Sequence, residues 1–185
     1  MLGLVNQALQ EMVTDRLGAE AWDRIRQQAG VQDRVFVVMR QYPDQVTYDL
    51  AGAVAAQLGV PLPDALHAFG HYWMAFAERQ PWGKVMHGMA SSVRELLPAL
   101  NDLHTHLALS FPGVTMPQFR CEDAEGGALL VHYFSPRPGL APFVHGVLEG
   151  IGAMYGEVIE VRQVQSRDGG AAHDAFLVTF PGGGS

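Results

Sequence analysis

The sequence predicts an α+β domain, in which a largely helical first part is followed by strands, a helix and further strands. Apolar residues recur at three- and four-residue steps over most of the chain before residue 110, which is typical of helices with one buried face. After Pro112-Gly113 the pattern changes, and short segments rich in Val, Phe and Tyr predict strands. Because helices and strands are grouped rather than regularly alternated, the order favours α+β over α/β.

Six helices are expected in the first part. The first is indicated by Leu2, Val5 and Leu9 at helical spacing, and Gly18 ends the pattern. Further along, Pro81-Trp82-Gly83 predicts a turn. The predicted helices cover residues 2–13, 19–28, 44–58, 64–78, 84–90 and 92–109.

Four strands and one helix are expected in the second part. Residues 122–127 are polar and contain two glycines, which predicts a hairpin loop between the first two strands. The third segment alternates between its two faces, as a strand does. The predicted strands cover residues 114–120, 128–134, 158–165 and 175–180, and the helix covers residues 140–155.

Composition indicates one domain with an unusually apolar interior. The chain has 185 residues, of which 48% are hydrophobic and 17% charged, against a usual charged share of about 25%. The net charge of −7 argues against a nucleic acid or an anionic membrane surface as partner. A single cysteine, no long apolar run and no recognisable leader together predict a cytoplasmic protein.

His104 differs from the other histidines because of its place in the sixth predicted helix. It follows Leu100 by four residues and precedes Leu107 by three, so it lies on the apolar stripe of that helix. A buried imidazole needs a partner for each nitrogen, or a metal ion for one of them. Two interpretations stay open here: a core histidine bonded to a carbonyl group, or a single axial ligand to a haem iron.

A second group of polar residues lies at the end of the second predicted strand. In an extended chain, residues two apart share a face, so Tyr133, Ser135 and Arg137 are expected to point the same way. Two hydroxyls and a guanidinium suit a carboxylate, which arginine can bind through two parallel hydrogen bonds. The alternative is a strand end with ordinary polar residues.

These two features together favour a haem site. A haem needs an axial ligand, anchors for two propionates and a large apolar pocket, and this sequence offers one candidate for each. The single cysteine, Cys121, excludes a multi-cysteine metal centre. No Cys-x-x-Cys-His sequence is present, which excludes covalent haem attachment of that type.

At these residues the chain resembles the haem–nitric oxide/oxygen binding (H-NOX) family of bacterial sensor domains, which is related to the haem domain of soluble guanylate cyclase. The Tyr-x-Ser-x-Arg motif at Tyr133, Ser135 and Arg137 matches the propionate-binding motif of that family. The resemblance extends over nearly the whole chain. The other matching segments are residues 3–6, 69–73, 103–107, 110–113 and 117–121.

The resemblance implies a single domain over residues 1–181, followed by a tail or linker at residues 182–185. It divides the domain into a mainly helical subdomain at residues 1–62 and an α+β subdomain at residues 63–181. The latter is expected to hold a roughly four-stranded antiparallel sheet. Non-covalent haem b is expected to lie between the two subdomains.

The resemblance also assigns roles to individual residues. His104 is the expected axial ligand of the haem iron, and Pro117 is expected to press on the haem and distort it. Tyr133, Ser135 and Arg137 are expected to hold the propionates. The expected distal wall is formed by Val5, Leu9, Trp73, Met74 and Phe143.

Gas selectivity is expected to depend on the distal wall. Family members that hold oxygen supply a tyrosine hydroxyl to the bound gas, and the aligned residue here is Phe143, which has no donor. The expectation is therefore a sensor that binds nitric oxide and carbon monoxide at ferrous haem and excludes oxygen. The alternative is an oxygen-binding sensor, should the Trp73 indole or the Tyr72 hydroxyl reach the ligand.

Signalling is expected to depend on the bond between His104 and the iron. The resemblance implies that nitric oxide weakens or breaks this bond, after which the haem and the subdomains relax. Since the length leaves no room for an output domain, the expected partner is a separate protein, either a histidine kinase or a cyclic-di-GMP enzyme. A non-enzymatic role is expected; the alternatives are a peroxidase-type haem enzyme, with His71 or His145 as distal base, and a carboxylate-binding domain without haem.

Overall fold

A computed structural model describes residues 1–110 and 113–181 of the chain. Phe111 and Pro112 of the resembling segment and the predicted tail at residues 182–185 lie outside these ranges. Across the described ranges, no helix combines the length and apolar character needed to cross a membrane. The helices there are α1 (Gly3–Leu17), α2 (Ala19–Gln28), α3 (Asp44–Leu58), α4 (Leu62–Arg79), α5 (Pro81–Met89), α6 (Val93–Ser110) and α7 (Ala141–Tyr155).

All seven predicted helices are found. The start of α5 differs from the prediction, because the helix begins at Pro81 rather than at residue 84. The segment predicted as a turn is instead the first turn of α5, with Pro81 at its start. Proline suits this position because the first amide groups of a helix lack helical partners in any case. Only Gln80 separates α4 from α5, and an added Cβ at Gly83 would lie 2.0 Å from the Glu78 carbonyl oxygen.

Four antiparallel strands form one sheet. They are β1 (Gln118–Asp123), β2 (Leu129–Phe134), β3 (Glu160–Gln165) and β4 (Asp174–Thr179). The order across the sheet is β1-β2-β4-β3. Together with the helices, this sheet confirms the predicted α+β class.

The first strand lies further along the chain than predicted. Residues 114–117 precede the ladder because Pro117 has no amide hydrogen to contribute to it. Glu122 and Asp123, predicted in the hairpin loop, instead pair with Leu130 and Leu129. The loop can be this short because Gly126 and Gly127 both adopt positive φ, 67° and 74°, where other residues are strained.

Two hydrophobic cores lie side by side. One is formed by α1, α2, α3 and the loop before α3, with Leu9, Ile25 and Phe36 at its centre. The other is formed by α6, α7 and one face of the sheet, and includes Leu96 and Phe176. Helix α4 contributes to both cores. The subdomain boundary at residue 62 stays a prediction.

Helices α4 and α7 pack with their backbones unusually close together. An added Cβ at Gly70 would lie 2.0 Å from the carbonyl oxygen of Phe143, and one at Gly146 would lie 2.0 Å from that of His67. Since real Cβ atoms do not approach this closely, glycine is required at both positions. The close approach fixes the side chains that each helix presents to the space between the cores.

Candidate functional site

A cavity of about 260 Å³ lies between the two cores. Trp73 of α4 and Phe143 of α7 border it and also pack against both cores. Its walls are almost wholly aliphatic or aromatic, and the few polar groups among them include His104, Tyr133 and Arg137. An apolar cavity with a few convergent polar groups is the usual form of a small-molecule or cofactor site.

His104 faces this cavity from α6. Its Nδ1 lies 2.8 Å from the carbonyl oxygen of Leu100, one turn earlier. Since a carbonyl oxygen can only accept, Nδ1 carries the proton and the lone pair is on Nε2. Nε2 has no hydrogen-bond partner among the described residues. Burial lowers the pKa of the imidazole, against the opposing effect of the Leu100 bond, and so favours the neutral form that binds metals.

Tyr133 and Arg137 reach the same cavity from the end of β2. Tyr133 is buried, which raises the pKa of its phenol and keeps it a neutral donor. Arg137 Nε donates to Asp44 Oδ2 (2.8 Å), and Nη1 donates to the carbonyl oxygen of Thr115 (2.9 Å). Arginine thus places a positive charge at one edge of an otherwise apolar space.

Ser135 and Leu9 do not line the cavity. Strand β2 ends at Phe134 and the chain then turns, so Ser135 is held beside Tyr133 and Arg137 by this turn rather than by strand alternation. Ser135 Oγ accepts from the backbone N–H of Arg137 (3.2 Å), and the Ser135 hydroxyl also interacts with the Tyr133 phenol and lowers its pKa, against the larger effect of burial. Ser135 itself borders a neighbouring pocket, together with Arg167. Leu9 is fully buried in the core of α1 to α3 and does not line the cavity.

The other residues expected on the distal wall border the cavity. Val5, Trp73, Met74 and Phe143 all line it, as does Pro117. Phe143 packs against Phe69, with ring centroids 5.2 Å apart. The α7 residues beside Phe143 on the wall are Val144 and Val147, neither of which carries a polar side-chain atom.

Three polar side chains considered as distal groups lie outside the cavity. The Tyr72 hydroxyl donates to Asp15 (2.8 Å) and contacts Glu11 (3.0 Å), away from the cavity. Neither His71 nor His145 lines the cavity. Of the histidines in the described ranges, His104 alone lines the cavity, and the Trp73 indole considered from the sequence lines it as well.

The structure also reveals lining residues that sequence patterns did not single out. Phe119 stacks on His104 with ring centroids 5.4 Å apart, and its ring lies at the same distance from Tyr133, its partner across the β1–β2 ladder. The sequence did offer a signal for Phe119. It follows Pro117 by two residues, and residues two apart in extended chain share a face. Tyr48 lines the cavity too, and its hydroxyl donates to the carbonyl oxygen of Pro138 (2.8 Å).

Comparison with known proteins identifies the family. The family model described as haem-NO-binding matches residues 2–163. Soluble guanylate cyclase gcy-35 of Caenorhabditis elegans is 27% identical over 173 residues, which are 90% of this chain and 25% of that protein. The guanylate cyclase soluble subunit beta-2 of Rattus norvegicus is 29% identical over 119 residues, which are 61% of this chain and 17% of that protein. The chain thus spans about a quarter or less of these relatives.

Solved structures share the fold. An H-NOX protein from S. oneidensis, solved in the Fe(II)NO ligation state, superposes with a TM-score of 0.88 at 21% identity, covering 97% of this chain and 99% of that one. The unliganded Fe(II) H-NOX protein from K. algicida gives a TM-score of 0.83 at 18% identity, covering 97% and 96%. The chain belongs to the H-NOX family of haem-binding gas-sensor domains, which confirms the resemblance drawn from its sequence.

The residues present fit a haem. Its flat apolar ring needs the kind of aromatic and aliphatic walls that the cavity has, and its iron needs the lone pair that His104 Nε2 carries. Its propionates need donors, which Arg137 and Tyr133 supply at the cavity edge. The one cysteine, Cys121, is absent from the cavity wall, and burial raises its pKa to about 11, which keeps it a thiol.

Proposed function

We propose that this chain is a sensor of nitric oxide and carbon monoxide that excludes oxygen and acts through a separate signalling protein. The observation that carries the proposal is His104, which lines the apolar cavity and whose Nδ1 is held by Leu100, so that Nε2 is left without a partner among the described residues. Non-covalent haem b would supply a ferrous iron that binds small diatomic gases. His104 would hold it from α6, and Arg137 with Tyr133 and Ser135 would hold its propionates.

Exclusion of oxygen is inferred from the distal wall. Bound oxygen is polar and gains retention from a hydrogen-bond donor, whereas nitric oxide binds ferrous iron strongly without one. Phe143 offers only a phenyl ring, and the other α7 residues on the wall are valines. For the alternative, an oxygen-binding sensor, two donors were expected from the sequence: the Trp73 indole borders the cavity, whereas the Tyr72 hydroxyl is engaged with Asp15 and Glu11.

Signalling is inferred to begin at α6. His104 is bonded to its own helix through Leu100, so a change in its position would be passed to α6 directly. Phe119 stacks on His104 and Pro117 borders the cavity two residues earlier, which extends the same response to the start of β1. The proposed partner is a histidine kinase or a cyclic-di-GMP enzyme, and the proposed location is the cytoplasm.

A non-catalytic role is part of the same proposal. A peroxidase needs a distal base over the iron, normally a histidine. The two histidines considered for that role, His71 and His145, do not border the cavity. The chain is therefore proposed to sense rather than to turn over a substrate.

The test compares His104→Ala with His106→Ala in haem-loaded, reduced protein. His106 is a matched control, because its Nδ1 makes the same contact one turn back, 2.7 Å from the Asp102 carbonyl oxygen, but it is exposed. We expect His104→Ala to change the Soret band and lower the haem content, with recovery on adding imidazole. The His106→Ala spectrum should equal that of the unchanged chain.

The same spectra test gas selectivity. The unchanged chain should keep its reduced spectrum in air and change it on adding nitric oxide or carbon monoxide. A stable spectrum of an oxygen complex would overturn the proposed selectivity. A His104→Ala spectrum identical to that of the unchanged chain would overturn the ligand assignment.

A further inference from the structure

His67, His145 and Glu149 form a second cluster of metal-binding side chains, outside the cavity. His67 lies on α4, and His145 and Glu149 lie one turn apart on α7. Each offers one ligand atom, and these atoms all lie within 4.8 Å of one another. None of the three lines the cavity, so haem binding gives them no role.

The three side chains converge on one point. His67 Nε2 lies 2.8 Å from Glu149 Oε2, and His145 Nε2 lies 3.4 Å from Glu149 Oε1. The two imidazole rings meet edge to face, with centroids 5.1 Å apart. All three side chains are partly exposed, at 28–40%. An ion can therefore enter from solvent, and the ligands keep enough freedom to close around it.

The backbones beneath the cluster are held in place independently of any ion. Gly146 follows His145, and an added Cβ there would meet the carbonyl oxygen of His67 at 2.0 Å. The helices are thus in direct contact at the point from which His67 and His145 project. A preorganised pair of helices lowers the ordering cost that metal binding would otherwise carry.

The geometry points to a zinc site in which His67, His145 and Glu149 bind Zn²⁺ and tie α4 to α7. Two imidazole nitrogens and one carboxylate oxygen suit zinc, whereas Mg²⁺ and Ca²⁺ prefer oxygen ligands alone. Bonds of about 2.0–2.2 Å place tetrahedral ligand atoms about 3.4 Å apart, so only small side-chain rotations are needed. Three protein ligands leave the fourth position to water.

Such a tie would act on the wall of the cavity. Helix α4 also carries Trp73 and Met74, and α7 carries Phe143 and Val147, all of which line the cavity. Zinc held between the helices would oppose their separation and so stiffen this wall. The zinc site itself does not depend on the proposed gas selectivity.

The test is equilibrium dialysis of the full, haem-loaded chain against micromolar ZnCl₂ after chelator treatment, with elemental analysis of zinc and iron. The iron content reports the haem separately, so failure of the zinc site and failure of the haem site give different results. The variants are His67→Gln, His145→Gln and the double variant. The matched control is His71→Gln, one turn further along α4, exposed and outside the cluster.

We expect one zinc per chain in the unchanged protein and in His71→Gln. Each single variant should bind zinc at least 10-fold more weakly, since even outer-shell changes cost roughly 10–100-fold. Zinc should raise the unfolding temperature of the unchanged chain but not that of the double variant. Circular dichroism spectra that agree among all variants would establish that each one folds.

Three results would overturn the proposal. The first is no zinc binding at micromolar concentration. The second is undiminished zinc binding in the double variant, which would place the ion elsewhere and leave an ordinary histidine–glutamate ion pair here. The third is equal loss of zinc in His71→Gln and in the cluster variants.

Discussion

At the scale of single residues, one hydrogen bond sets the chemistry of His104. The Leu100 carbonyl oxygen accepts from Nδ1, which leaves the lone pair of Nε2 directed away from its own helix. Burial lowers the pKa of the ring and favours its neutral form. His106, two residues later, makes the same contact with Asp102, but it is exposed. The difference between the two histidines is therefore the face of α6 on which each one lies.

Phe143 gives a residue-scale prediction about gas selectivity. Phe143→Tyr adds a hydroxyl on the wall that now lacks a donor on α7. A hydrogen bond contributes roughly 0.5–1.5 kcal/mol, which corresponds to about a 2- to 13-fold higher oxygen affinity than that of the unchanged chain. Titration of the reduced, haem-loaded protein with oxygen, followed by its absorption spectrum, measures this affinity.

The control for that prediction is Phe143→Leu, which alters the packing against Phe69 without adding a donor. The oxygen affinity of Phe143→Leu should match that of the unchanged chain. If Phe143→Tyr gains no oxygen affinity, then the selectivity does not depend on a donor at this position.

Asp44 gives a prediction about acid stability. Burial raises the pKa of this carboxyl, but hydrogen bonds from the N-terminal ammonium and Arg137 outweigh that effect and hold it below its ordinary value of 3.8. A lowered folded-state pKa stabilises the fold above the unfolded-state value, and this contribution is lost as the pH falls through the folded-state value. The stability lost in Asp44→Asn should therefore be largest near pH 7 and shrink below about pH 3.8.

Urea unfolding at pH 7 and at pH 3 measures this difference. Asp49→Asn, on the exposed surface of the same helix, is the control and should show a smaller effect at pH 7. An Asp44→Asn deficit that is equal at both pH values would contradict a role for the carboxylate charge.

At the scale of elements, the contact between α4 and α7 depends on glycine. Gly70 meets the Phe143 carbonyl group, Gly146 meets the His67 carbonyl group, and Gly150 meets the side chain of Met74. Two helices with ordinary side chains pack 8–10 Å apart, and removing Cβ atoms allows a closer approach. This contact places two walls of the cavity and the zinc-binding cluster at once.

The prediction at this scale compares Gly70→Ala with Gly52→Ala. The first places a Cβ against a backbone carbonyl oxygen, so that the helices must separate, and overpacking of this kind costs about 1–3 kcal/mol. The second lies in α3 with open space around it, where alanine should stabilise the helix by about 0.5–1 kcal/mol. Urea unfolding monitored by circular dichroism gives both free energies. Equal effects at the two sites would contradict the close approach.

At the scale of the whole molecule, the cavity lies between two cores that are joined around it. Asp44 of α3 binds Arg137 beyond β2, and the hydroxyl of Tyr48, also on α3, donates to Pro138. Helix α4 contributes to both cores. A group bound in the cavity therefore contacts both cores at once. Its loss should lower the stability of both cores.

Haem loading should accordingly raise the stability of the whole chain. A ligand that binds only the folded state stabilises it by about 2.7 kcal/mol at 100 times its dissociation constant. Thermal unfolding of haem-free and haem-loaded protein, followed by circular dichroism, tests this. An unchanged midpoint in the presence of bound haem would contradict its placement between the cores.

The sequence predicted regular elements well because each depends on local chemistry. Helix α3 ends where Gly59 takes a positive φ of 67°, as expected from the glycine and the prolines that follow. The first strand was misplaced, since alternation alone does not reveal that Pro117 precedes the ladder while Glu122 and Asp123 join it. Ser135 lies beside Tyr133 but borders a neighbouring pocket rather than the cavity, because strand β2 ends at Phe134 and the chain then turns.

The sequence by itself determined the α+β class, the family and the apolar stripe that carries His104, because these depend on spacing along one segment. Only the tertiary structure decided which side chains meet across segments. In the folded chain Phe119 stacks on His104, and the Tyr72 hydroxyl donates to Asp15. Leu9 lies outside the cavity, and His67 lies beside Glu149. The physical reason is that such contacts depend on how closely helices pack, and here α4 and α7 approach until backbone touches backbone.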